Sequence, residues 1–206
     1  MSIFVCNPLQ DMSQSQREVF FRFNVVPIQV GGMVAHCVAV ADTKHAARSY
    51  CSATHRKKLD HIFHSMQSIS ARSGKCELHR GRRGGCVLTG LDAIDLVVVG
   101  TPCQPWCQRR NRFDVKPDQH PLYPTSMTHL LQLLDTYDVG GVILENIAEM
   151  QEPVVEVHDD VVVSLSDLQI LVGELKERGF SVDYWILDNG TWIDVPRRRL
   201  PMLLLY

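Results

Sequence analysis

The sequence has no apolar run approaching the roughly 20 residues that would span a bilayer. Its start, MSIFVCNPLQDMSQ, has neither the basic leader nor the long apolar stretch of a signal peptide. Both absences set the expectation of an intracellular protein without a membrane partner, in the nucleus of a eukaryote or in the cytoplasm of a bacterium, its own or one infected by a virus. Nor is there an excess of one charge. Lys and Arg number 21 against 23 Asp and Glu, a net charge of -2, which excludes a global field that would gather nucleic acid. The seven cysteines are odd in number and scattered, so no disulfide framework is written into the chain. Thiols in that pattern point to a reducing compartment and to catalytic or metal-binding roles. No internal repeat is present. A chain of 206 residues is long enough for one sizeable domain and short for two, so a single domain over residues 1–206 is expected.

The second half is the more legible. Ile94 to Val99 is a β-branched run closed by Gly100 and Pro102, which reads as a buried strand. Met127, Leu130, Leu131, Leu134 and Tyr137 follow helical spacing, with Thr125 or Ser126 to cap the start. Gly140 to Leu144 is the next strand and runs into Glu145-Asn146. Leu168, Leu171, Val172 and Leu175 mark a second helix, capped by Ser164 or Ser166 and ended by Gly179. Strands are expected over Ser181–Leu187 and Leu200–Tyr206, with a turn at Asn189-Gly190. Alternation of strand and helix implies an α/β fold with a mostly parallel sheet, and the last pair, joined without a helix, should be antiparallel. In the first half, Val34–Ala41 reads as a strand ending at Asp42 and leading into a helix through Ala46, Ala47 and Tyr50. Residues 52–92 are polar, with weak periodicity, and read as an insertion before the strand at Ile94.

Ligands in such sheets bind outside the carboxyl ends of the strands. Cys103, Glu145-Asn146 and Arg197-Arg198-Arg199 all follow strands or lie in the last connection, so they can converge on one edge. Alone, Cys103 is better read as a structural thiol, and Glu145 as a solvated edge. Together they supply a nucleophile and an acid, the pairing that covalent catalysis with proton donation requires. Arg109 to Arg112 could supply the positive field that favours a thiolate. The basic runs at His79–Arg83, Arg109–Arg112 and Arg197–Arg199 are solvated loop edges or, jointly, a local phosphate-binding rim.

The stretches Gly100-Thr101-Pro102-Cys103-Gln104-Pro105-Trp106, Leu144-Glu145-Asn146-Ile147 and Val195-Pro196-Arg197-Arg198-Arg199 resemble, in that order, motifs of the DNA cytosine-5 methyltransferases. The resemblance covers Asp92 to Tyr206 well and Val38 to Tyr50 faintly. It implies a Rossmann-like S-adenosylmethionine-dependent methyltransferase fold. Cys103 would then add to carbon 6 of cytosine, Glu145 would contact ring nitrogen 3 and the amino group, Asn146 would hold the loop, and Arg199 would approach the ring carbonyl oxygen. It further implies Asp42 and Pro102 on the cofactor side. Gln104, Arg109, Arg112 and Arg197 fall on the substrate side, with DNA as partner and the target base taken out of the stack.

The sequence also departs from that pattern. The family's Phe-x-Gly-x-Gly-Gly cofactor loop has no counterpart, since Gly31-Gly32 lies too near Asp42 and lacks the pattern. Aligning Ala46 and Tyr50 with the family's helix puts Ala41 rather than Asp42 at the ribose-binding position. Cys107 stands where a serine ends the loop, Arg197 replaces a glutamine, and Pro201 falls where a second arginine belongs. The expected fold is therefore incomplete at both ends, without the family's target-recognition region. A complementary polypeptide supplying that region, or a catalytically inactive DNA-associated domain, are the alternatives. Cys76-x-x-His79-x6-Cys86, joined by Cys51, His61 or His64, could form a zinc site pinning the polar insertion. The competing reading is an ordinary surface loop, with a zinc-stabilised interaction module the remaining alternative function.

Overall fold

The computed structural model describes residues 2–6, 36–56, 59–107, 116–158, 161–188 and 199–205. Its centre is a seven-stranded sheet of β1 (Ser2–Cys6), β2 (His36–Ala41), β3 (Leu59–Phe63), β4 (Leu96–Gly100), β5 (Val142–Glu145), β6 (Val182–Asp188) and β7 (Arg199–Leu205). Across the sheet the order is β6-β7-β5-β4-β1-β2-β3. β1 pairs in parallel with both β2 and β4, β2 with β3, and β4 with β5. β7 is the one reversed strand, antiparallel to β6 and β5, and is inserted between them. The order 3-2-1-4-5 from the β3 edge is that of doubly wound sheets. The expected antiparallel end pair is β6 with β7.

Alternation along the strands divides the interior in two. Val97 and Val99 of β4 face the larger core, and Val98 faces the smaller one. The larger core takes α2 (Met66–Ser70), α4 (Thr128–Thr136) and α5 (Asp167–Glu177), through Met66, Ile69, Leu130, Leu133, Leu134, Leu168, Leu171 and Leu175. The smaller core contains Cys51 of α1 (His45–His55) with Cys37, Val40, Leu59 and Ile62. In α4 the buried stripe is Leu130, Leu133 and Leu134, so Leu133 takes the inner place expected of Leu131, which is only partly buried. Ser166 caps α5 with its hydroxyl on the amide of Gln169, whose side chain returns to Ser166. Gly179, at φ 89°, ends that helix in a conformation that favours glycine.

Several expectations are revised. Thr125 and Ser126 do not cap α4: they lie in a four-residue helix, α3 (Tyr123–Ser126), and Met127 is the cap residue. Residues 52–92 are not simply an insertion, because Leu59–Phe63 is the edge strand of the sheet. Leu59, Ile62 and Phe63 are buried there, while polar Asp60 and His61 conceal the pattern. Pro153–His158 and Val161–Ser166 form an antiparallel hairpin before α5. On the outer strand β6, Tyr184, Trp185 and Ile186 are all about half exposed. Among the described residues no helix is long and apolar enough to cross a membrane.

Candidate active site

β4 and β5 lie side by side, with Gly100 paired to Glu145, and both chains leave the sheet at the same edge. Thr101 and Asn146, one residue beyond that pair, tie the two exits together. The Thr101 amide donates to the Glu145 carbonyl at 3.4 Å, and Asn146 Nδ2 donates to Thr101 Oγ1 at 2.6 Å. Asn146 Oδ1 accepts from the Ile147 amide at 2.8 Å, so both ends of this buried amide hold the two loops. Glu145 is half-buried beside it.

The loop carrying Cys103 is fixed on each side of the thiol. Upstream, Ser126 Oγ, fully buried, donates to the Pro102 carbonyl at 2.9 Å. Downstream, the Trp106 and Cys107 amides donate to the Cys103 carbonyl at 3.0 and 3.1 Å, which closes a tight turn. Trp106 Nε1 then donates to Asp167 Oδ2, at the first turn of α5, at 2.7 Å with both side chains buried. Burial and the Asp167 charge push the nearby Tyr123 hydroxyl up to about 12. Pro102 is buried, and Cys103 and Gln104 are half-buried. A cysteine that is held by its backbone but partly open to solvent can approach a substrate at the sheet edge.

Asp42 follows β2 directly and Ala41 is the strand's last residue. The Lys44 amide donates to Asp42 Oδ1 at 2.7 Å, which bends the chain into α1. Arg48, buried in α1, donates to the carbonyls of Asp42 and Thr43 at 2.7 Å each and to Glu77 at 3.2 Å. Burial alone would raise the Glu77 carboxyl, but hydrogen bonds from Arg80 and Arg48 outweigh it and hold it below its ordinary value. Arg199 opens β7, and since Met202 is paired with Glu145, its register lies beyond Glu145 at the same edge. Arg109, Arg112 and Arg197 lie outside the described residues, as do Gly31-Gly32 and the Asn189-Gly190 turn.

Cys76, His79 and Cys86 come together, and the fourth member is His61 of β3, with one donor atom from each all within 4.8 Å of one another. Cys51 is buried in the smaller core instead, and His64 faces Glu77 at 3.3 Å. Ser126, Arg48 and Glu77 are supports that sequence reasoning missed. Each acts on a partner 24 or more residues away, and no local spacing announces them.

The fold is the Rossmann-like methyltransferase fold, as the motif resemblance implied. Solved structures similar to it include the Dnmt2 methyltransferase of S. pombe, 13% identical with a TM-score of 0.52, covering 100% of this chain and 49% of that one. The Entamoeba histolytica methyltransferase EhMeth is 14% identical with a TM-score of 0.53, covering 98% of this chain and 53% of its own. A Spodoptera frugiperda DNMT2 variant gives 14% and 0.53, over 98% and 50% of the two chains. The chain thus spans about half the length of the structures it matches. No protein-family model and no curated protein matches the sequence.

Proposed function

We propose that this chain carries the catalytic edge of a DNA (cytosine-5-)-methyltransferase that uses S-adenosylmethionine. The supporting observation is that Cys103 and Glu145 leave adjacent parallel strands, with their exits joined by the Asn146–Thr101 hydrogen bond. The Cys103 thiolate adds to carbon 6 of a cytosine and so makes carbon 5 nucleophilic. Glu145 contacts ring nitrogen 3 and the amino group, offsetting the charge that develops during the addition. Arg199, at the same edge, approaches the ring carbonyl oxygen. Once carbon 5 carries the methyl group, loss of its proton to a base expels Cys103 and restores the aromatic ring. Asn146, Ser126 and Trp106 are positioning residues, because each holds the loop and leaves the substrate to others.

The cofactor supplies an electrophilic methyl group to carbon 5. Asp42 would hold its ribose, because a carboxylate just past the second strand is where doubly wound folds bind such hydroxyls, and Pro102 would line the same crevice from β4. The buried Arg48 fixes the backbone on which Asp42 sits. Gln104, Arg109, Arg112 and Arg197 fall to the DNA side.

The test is covalent capture. DNA in which every cytosine of one strand is 5-fluorocytosine removes the need to know the target sequence, and fluorine at carbon 5 blocks release of the enzyme. With S-adenosylmethionine present, the wild-type chain should give an adduct that survives denaturing electrophoresis, and Cys103→Ser should give none. No adduct, together with no calorimetric heat on adding S-adenosylmethionine, would exclude catalysis by this chain.

A further inference from the structure

We propose that His61, Cys76, His79 and Cys86 bind one Zn²⁺ ion, which pins the loop of residues 77–85 against the edge strand β3. The four residues arrive from three segments. His61 stands on β3, Cys76 bridges to Phe63 of the same strand, His79 lies in the turn that follows, and Cys86 begins the return strand paired to Gly74. Their donor atoms all lie within 4.8 Å of one another. Cys76 Sγ is 3.5 Å from His79 Nδ1 and 3.9 Å from His61 Nδ1. A tetrahedral zinc site with Zn–S near 2.3 Å and Zn–N near 2.0 Å has S–N edges of about 3.5 Å, so little movement is needed to close the shell. Two thiolates and two imidazoles suit zinc and exclude the oxygen-seeking calcium and magnesium.

Two features around the cluster match a metal centre. The Ile62 amide donates to Cys76 Sγ at 3.4 Å, a bond that orients the sulfur. Beyond Glu77, the tip of the loop has little apolar burial to hold it. Residues 79–84 are exposed, Leu78 is only partly buried, and Gly81, Gly84 and Gly85 have φ of 98°, 89° and 82°. At Gly85 a Cβ would meet the Gly74 carbonyl oxygen at 2.3 Å, so the hairpin closes without room for a side chain. A segment this polar and this tightly turned lacks the apolar burial that fixes a loop, and a metal supplies the missing constraint.

The ion would act beyond its own loop. Glu77 directly follows a ligand and holds Arg48, which in turn holds the Asp42 and Thr43 carbonyls. The metal thereby braces the turn between β2 and α1. The significance of that turn for cofactor binding rests on the proposed function, but the metal does not, and its test needs no methyl transfer.

Purified without chelator, the wild-type chain should carry about one zinc per chain by elemental analysis. Replacing the zinc with Co²⁺ should give the intense visible bands of a tetrahedral thiolate site. Cys86→Ser should lose the metal. Because Cys86 is fully buried, His79→Ala on the exposed turn is the second variant, and it should weaken Co²⁺ binding at least tenfold or so. Chelation should speed hydrogen exchange at the amides of Thr43 to Arg48. A wild-type chain that binds neither zinc nor Co²⁺ overturns the site, as does metal retained by both variants or a Cys76–Cys86 disulfide found by mass spectrometry.

Discussion

Cys37 and Cys51 share the smaller core, where burial pushes each thiol up to about 12, helped by the other's charge for Cys37 and by Asp42 for Cys51. The unfolded chain releases these protons near 9.0, the ordinary value, while the folded chain keeps them. Their contribution is therefore complete below pH 9 and is lost as pH rises toward 12, by roughly 1 kcal/mol from each thiol at pH 10. Urea denaturation at pH 8 and pH 10 should show that fall, and Cys37→Ala with Cys51→Ala should flatten it. An equal midpoint at both pH values for the wild-type chain would contradict the burial argument. Asn146 makes the opposite kind of contribution, through an amide satisfied at both ends. Asn146→Ala should destabilise by about 1–3 kcal/mol and separate the two loop exits. A double-mutant cycle with Thr101→Val, read by thermal melting, should return a coupling energy well above zero, and additivity would disprove the link.

The helix α5 anchors the Cys103 loop through Asp167. Trp106→Phe keeps most of the buried ring but withdraws the N–H from Asp167 at the first turn of α5, so a loss of about 1.5–3 kcal/mol is expected by thermal melting. A melting temperature unchanged by that substitution would mean that the ring alone anchors the loop. Strands such as β4 and β5 were legible in the sequence because they are buried on both faces and read as continuous apolar runs. β3 was not, since Asp60 and His61 interrupt its run and His61 belongs to the metal-type cluster. β1 is barely marked in the sequence, because its apolar run is only Ile3-Phe4-Val5 although it has a neighbour on each side. The Cys103 and Glu145 motifs were visible for a chemical reason, their residue types. What steadies them was not, because Ser126 reaches Pro102 and Arg48 reaches Glu77 across the fold.

The first and last strands of the described chain both lie inside the sheet, not at its rims. β1 joins β2 to β4, and β7 joins β5 to β6. Each therefore holds a seam between parts of the chain distant in sequence, a topology of high contact order and slow folding. The arrangement also sets an order of events during synthesis. Translation delivers β6 before β7, yet among the described residues β6 pairs in the sheet only with β7. Until residue 205 has cleared the ribosome, the β5 edge that β7 will cover stays open and the strand bearing Tyr184, Trp185 and Ile186 lacks the one partner it has among the described residues. The nascent chain thus passes through an interval in which a sticky, unpaired strand is displayed to solvent, and chaperone demand should be greatest there.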